Sequence, residues 1–265
     1  MLKSWKYMFA AAASAVLLTG CVSEQPSDIS LDELEARVAQ AMDPAGDYRK
    51  ANAYYQRQNV VEECFWEDKK QLVEVRFQRP DKFKLSYFEK NAPITEILSV
   101  GGQAWLINYK ENTISEITGE ALEKFKVMLS LGHPDTDYDK LFAQVDIVIV
   151  RKNGADYYKL TCRPRLANAN PIIIYIDKDE YLPRRMELTI NHPDGDIESV
   201  STIVEYLQFG NVKLPTLTQV TEGAREYTTR VVGYQINAHF APEVFQKPKF
   251  DPVLVEMQKQ RSRLR

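Results

Sequence analysis

A mainly β protein, with one curved antiparallel sheet and a few short helices, is what this sequence predicts. Three observations carry that expectation. Apolar and polar residues alternate through most of 58–240, and a period of two marks half-buried strands. Turn chemistry separates the alternating runs, at Gly101-Gly102, Asn153-Gly154, Gly210-Asn211 and Glu222-Gly223. Helical spacing is confined to a stretch near the N-terminus and to one interruption of the strands. About eleven to twelve strands follow in a near-continuous meander, and a sheet that wide must curl.

In chain order, Ser30-Leu31-Asp32-Glu33 matches a capping box. Leu31, Leu34, Val38 and Ala41 then recur at helical spacing. Asp43-Pro44 and Gly46 break that helix, and 47–56 can form a second short one presenting Tyr48, Ala51 and Tyr55. A strand over 58–66 pairs through a charged turn with 71–79. Arg79-Pro80-Asp81 turns the chain again, because proline fixes its own φ and pushes Arg79 towards extended geometry. Val73, Val75 and Phe77 share a face before this turn, and Phe83, Leu85 and Tyr87 share one after it. Glu74, Arg76 and Lys84 fill the wet side. Strands over 95–100, 104–109 and 112–117 extend the meander. The segment 118–131 is a helix with a wide apolar face, stopped near Gly132-His133-Pro134. A short helical turn is expected at 138–142. Strands resume at 145–151, 156–163, 172–177, 184–191, 197–209, 214–222 and 226–240. The almost wholly apolar run 172–177 reads as covered on both faces.

With 265 residues, 44% of them hydrophobic, the chain can bury one sizeable core. The formal net charge of −3 gives no basic excess, so nucleic acid is not an expected partner. Lys3 and Lys6 precede a short apolar run, 8–18, of signal-peptide length. It ends in Leu18-Thr19-Gly20-Cys21, which resembles a bacterial lipobox. The resemblance implies cleavage before Cys21 and lipidation of that cysteine as a membrane anchor, since two or more acyl chains hold a protein stably where one does not. Cleavage removes two lysines and no acids, moving the formal charge from −3 to −5. Val22 stands where an aspartate would favour inner-membrane retention in enteric-type lipoproteins, which by resemblance favours the outer membrane, facing the periplasm.

The remaining cysteines, Cys64 and Cys162, fall in strand-like runs of an exported chain, where a bridge and two buried thiols are both open. Catalytic and metal motifs do not assemble. His133 and His192 each precede a proline in a turn, and His239 ends a strand run. None sits in a zinc or nucleophile motif. Asp135, Asp137 and Asp139 start like a calcium loop, but Lys140 and Asp146 stand where glycine and glutamate are needed. No enzyme activity, cofactor or metal is therefore expected. Function is expected instead on the concave face of the sheet, where Val73, Val75, Phe77, Phe83, Leu85, Tyr87, Trp105, Ile107 and Tyr109 form the candidate lipid-binding set. Val204, Tyr206, Leu217, Val220, Val232 and Tyr234 could add to it.

The segment Leu72-Val73-Glu74-Val75-Arg76-Phe77-Gln78-Arg79-Pro80-Asp81-Lys82-Phe83-Lys84-Leu85-Ser86-Tyr87 resembles the strand–RPDKF–strand unit of the LolA/LolB-type outer-membrane lipoprotein-sorting family. Residues 97–109, with a glycine turn and a Trp-Leu-x-x-Tyr strand, resemble the hairpin that follows. Pro183-Arg184-Arg185-Met186-Glu187 is similar to a later strand. The likeness runs over 31–240 and is most specific in 79–109. It implies an unclosed β-barrel with a helical lid over an apolar cavity that carries acyl chains of lipoproteins or other lipids, palmitate-like chains included. The organisation expected is a signal peptide (1–20), a lipidated tether (21–30), a LolA-like domain (31–242) and a C-terminal tail (243–265). A protein-binding sensor of envelope stress on the same fold, and an envelope hydrolase, are the alternatives.

Overall fold

The computed structural model describes residues 24–64, 68–131, 133–134, 136–166, 169–190 and 195–250. The segment expected to be a signal peptide, Cys21, His192 and the basic end of the chain lie outside them. The described chain runs β1 (Glu24–Pro26), α1 (Leu31–Met42), α2 (Asp47–Lys50), β2 (Ala53–Glu62), β3 (Lys69–Gln78), β4 (Lys82–Glu89), β5 (Ala92–Val100), β6 (Gln103–Asn108) and β7 (Thr113–Ile117). It continues with α3 (Gly119–Ser130), α4 (Tyr138–Leu141), β8 (Phe142–Lys152), β9 (Ala155–Pro164), β10 (Ile172–Asp177), β11 (Pro183–Ile190), β12 (Ile197–Phe209), β13 (Val212–Glu222) and β14 (Arg225–Ile236). A 3₁₀ turn, Pro242–Phe245, follows.

All fourteen strands join one antiparallel sheet in the order β1-β8-β9-β10-β11-β12-β13-β14-β2-β3-β4-β5-β6-β7. Two meanders, β2–β7 and β8–β14, are thus fused where β14 pairs with β2. β1 and β7 are the two edges and do not pair, so the barrel is unclosed. The curl follows from α3. Its Phe125 ring meets Phe83 of β4, with centroids 5.8 Å apart, while Val127 packs against the cluster that holds Met186 and Leu188 of β11. β11 and β4 are six strand steps apart, ~29 Å in a flat sheet, a span that two sides of a single helical turn bridge only if the sheet bends round it.

Several sequence expectations change. The tether is partly a strand, since Glu24 to Pro26 pair with Val150 to Val148. The second helix ends at Lys50 and β2 begins five residues before the expected strand. Strand pairing wins there because residues 54–62 are bracketed in register by both β3 and β14. The run 172–177 is buried on alternate residues only, at Ile172, Ile174 and Ile176. The tail is body as far as Phe250. Phe245 is buried against Leu98 and Ile107, with Phe240, Val244 and Phe250 beside it. Cys64 and Cys162 are both free, the first beside β2 and the second buried on β9, with five strands between.

α1 is set as its capping box requires, with the Ser30 hydroxyl accepting the Glu33 N–H at 3.2 Å. Leu34, Val38 and Met42 on its buried face meet Leu160, Ile174 and Ile176. Asp43 stops it, and the Asp43 carboxylate accepts the N–H groups of Asp47, Tyr48 and Arg49. Among the described residues no helix is long and apolar enough to cross a membrane.

Candidate functional site

Backbone register decides which side chains share the concave face. Val73, Val75 and Phe77 stand opposite Tyr87, Leu85 and Phe83. These six face inward, beside Tyr54, Gln56 and Gln58 of β2. The next pairings are Leu85 with Ile97 and Ile97 with Leu106. Trp105 instead opposes Leu98, and Ile107 opposes Glu96. Trp105, Ile107 and Tyr109 therefore lie on the outer face, away from the six, which corrects their expected place in one concave set. The C-terminal segment 240–250 covers them. The Lys247 ammonium sits 4.3 Å from the centre of the Trp105 ring. Under the same cover lies a charge network. Glu96 takes hydrogen bonds from Ser86 (2.8 Å) and Tyr109 (2.7 Å) and pairs with Lys84 at 2.9 Å. Lys84, expected in water, is nearly buried there. Burial and the Glu96 carboxylate push the Tyr109 phenol well above its ordinary range.

Among the described residues, three cavities open on the concave side. One of about 850 Å³ opens at the end of the sheet remote from the Arg79 turn, where Val73 and Tyr87 contribute to its wall. Its rim mixes Glu62, Asp68, Glu89 and Glu222 with Lys69, Lys70, Lys110 and Arg225. A second, of about 480 Å³, lies at the Arg79 end and is lined by Phe77, Phe83, Leu129, His133 and several charged residues. The third, of about 450 Å³, is the apolar one. Val127, Met128, Leu166, Ile172, Met186, Leu188 and Ile190 line it, together with Ser199 and Ser201. It adjoins the first cavity through Glu222 and Tyr227, which line both. The Tyr227 hydroxyl donates to Glu222 at 3.2 Å. Burial first, then that carboxylate, pushes the Tyr227 phenol up to about 12.

α3 forms the partition. Lys124, Val127 and Met128 lie along one helical stripe and face the apolar cavity. Lys126, Leu129 and Ser130 lie along the next and face the Arg79-end cavity. None of its twelve residues is fully buried, and Thr118 caps it without a side-chain hydrogen bond. The loop after it is pinned by His133. The Tyr48 hydroxyl lies 3.1 Å from His133 Nδ1 and the Tyr54 hydroxyl 3.5 Å from Nε2. The turn or surface role expected for His133 is thus replaced by a wedge between two tyrosines and Phe77. His239 is exposed. Asp137 caps α4, accepting the Lys140 N–H. Among the described residues no three His, Cys, Asp or Glu side chains are placed to hold a metal ion.

The nine expected site residues thus scatter. Val73 and Tyr87 line the charged cavity, Phe77 and Phe83 the Arg79-end cavity. Val75 packs in a central cluster with Tyr54 and Leu214. Leu85 lies between these groups, half-buried. None of the nine lines the apolar cavity. Of the second set, Val220 is buried, Tyr234 belongs to the central cluster and Tyr206 packs on the cluster under α1. Val204 and Val232 face solvent, 48% and 51% exposed. The residues missed, Met186, Leu188 and Ile190, alternate visibly in sequence. What was missing was their neighbour, since α3 precedes them by over fifty residues.

No protein-family model matches the chain, and no curated protein matches it. Solved structures do. A LolA superfamily protein from Nitrosomonas europaea superposes with a TM-score of 0.56 at 10% identity, covering 83% of this chain and 98% of that one. The fold is LolA-like. A DUF1329 family protein from Desulfovibrio piger gives 0.56 at 14% identity, over 81% of this chain and 95% of that one. A domain provisionally named for outer membrane lipoprotein sorting, from Vibrio parahaemolyticus, gives 0.54 at 14%, over 84% and 96%. At these identities the LolA-like likeness concerns architecture. It matches the unclosed antiparallel sheet and helical cover expected from the segment 72–87.

Proposed function

We propose that this chain is a lipid-anchored binding protein of the bacterial cell envelope that holds acyl chains in its concave face, without catalysing a reaction. The observation that carries the reading is the apolar cavity of about 450 Å³ beneath α3. An acyl chain left in water costs ~0.8 kcal/mol per methylene, and a pocket lined by methionine and aliphatic side chains removes that cost while adapting its shape. The helix over it has no fully buried residue, so it can shift to admit a chain without dismantling a core. The Vibrio neighbour's lipoprotein-sorting name and the lipobox-like Leu18-Thr19-Gly20-Cys21 support an envelope setting, the latter an anchor through lipidated Cys21 at the outer membrane. Cargo would be the acyl chains of lipoproteins or other lipids.

The mature chain carrying Cys21→Ser, which keeps every described element, provides the test. Stripped of lipid, it is expected to bind a fluorescent fatty-acyl probe. Leu188→Asp, which puts a carboxylate on the cavity wall, is expected to abolish binding while circular dichroism still shows the β fold. A folded, lipid-free sample that binds no acyl probe refutes the proposal.

A further inference from the structure

We infer that the site takes a single acyl chain bearing a net-neutral polar head, a lysophospholipid in chemical class, rather than a two- or three-chain lipid. The inference rests on the acyl-binding reading above and specifies its ligand. The chain number comes from volume. A cavity of about 450 Å³ lies near the lower end of the ~300–1,000 Å³ range of pockets that hold one small-molecule ligand, which suits one acyl chain laid along it. Two or three chains side by side call for a correspondingly larger apolar space.

No neighbouring cavity supplies that space. The one at the Arg79 end lies across α3 and is lined by Arg79, Asp81, Lys126, Asp137 and Lys140. One of about 320 Å³, which shares Leu188 and Ser199 with the apolar cavity, carries Arg185, Glu187 and Glu198. The largest of the three carries the mixed charges of its rim. A second chain laid against any of these sets would strip water from ionised groups, which costs more than the chain's own burial returns.

The head group follows from where the apolar cavity leads. It meets the charged cavity at Tyr227 and Glu222, so a chain seated under α3 presents its head there. Four acids and four bases line that rim, and much of the basic charge is already matched. Arg225 lies 2.8 Å and Lys69 3.6 Å from Glu62, and Lys110 lies 2.6 Å from Glu89. An anionic head finds no surplus of positive charge and meets the Glu222 carboxylate at the junction. A head carrying both signs can exchange partners with these pairs.

The test is native mass spectrometry and probe displacement on the lipid-free mature Cys21→Ser chain, with four ligands. They are palmitoyl lysophosphatidylcholine, palmitate, dipalmitoyl phosphatidylcholine and a tripalmitoylated lipopeptide. The lysophospholipid is expected at one per chain and at least tenfold tighter than each of the other three. Met128→Trp, made at a side chain already 42% exposed, is expected to fill the cavity and weaken that binding at least tenfold, with Met128→Leu near wild type. Two- or three-chain ligands that bind as tightly as the lysophospholipid overturn the inference and leave acyl binding standing. Tighter binding of palmitate overturns it through the head group. Failure of all four ligands overturns the inference and the acyl-binding reading together.

Discussion

α1 and α3 are both twelve-residue helices on the concave face of one sheet, and they do opposite things. α1 is closed on its strands. Its Leu34, Val38 and Met42 are buried among Leu160, Ile174 and Ile176, its N-cap hydrogen bond is made, and Arg37 reaches the Tyr181 hydroxyl. α3 rests on the same sheet through half-buried contacts, has no side-chain cap and divides two cavities. The contrast shows how a LolA-like sheet can be stable and hollow at once. One helix completes the core, and the other covers a space that the core does not fill. Core packing and the cover of the cavity are thereby assigned to different helices, so that loosening one need not unfold the other.

Four measurements test the difference between the two helices. The largest difference is expected in thiol reactivity. In a Cys21→Ser, Cys64→Ser background, Cys162 lies buried under α1, and burial holds its thiol up to about 12, so at neutral pH it is expected to resist iodoacetamide in the folded chain. A cysteine introduced by Met128→Cys on α3 is expected to react orders of magnitude faster. Equal labelling rates would erase the distinction. Next comes side-chain truncation. Leu34→Ala is expected to cost ~2–5 kcal/mol in urea unfolding, whereas Met128→Ala is expected to stay within ~0.5 kcal/mol of wild type. A third measurement compares the caps. Ser30→Ala should lose ~1 kcal/mol, since its hydroxyl holds the Glu33 N–H. Thr118→Ala should lose only a few tenths, because its side chain makes no cap bond. The smallest energies are read by hydrogen exchange. The amides of α3 are expected to exchange through local opening well before those of α1, which should exchange near the global unfolding limit. Slow exchange throughout α3 would argue against its acting as a movable cover.

Much of this was legible in sequence, and the reasons are local. The capping box at Ser30 to Glu33, the Arg79-Pro80-Asp81 turn, the Asn153-Gly154 turn and the helix beginning near Thr118 all stand where they were expected. Each depends on a few adjacent residues whose conformational preferences agree. The candidate site was legible only in part. Val73, Val75, Phe77, Phe83, Leu85 and Tyr87 share one face, as their alternation implies, because one tight turn fixes their pairing. Trp105, Ile107 and Tyr109 alternate just as cleanly, yet they face outward. Alternation specifies two faces without saying which is inside, and a one-residue slip exchanges them.

Most strands, their turns and the two amphipathic helices follow from the sequence alone, because period, capping and backbone preference act over short spans. Only the tertiary structure decided which apolar face became a wall and which became a cavity. The segment 240–250 folds back to cover β5 and β6 from outside, turning an apparent pocket face into an outer core. The sheet in which β14 pairs with β2 bends round α3, so that Met128 lines one cavity with Met186 and Leu188. Such contacts depend on residues far apart in the chain, and no local pattern encodes the distance at which a helix comes to rest above a sheet.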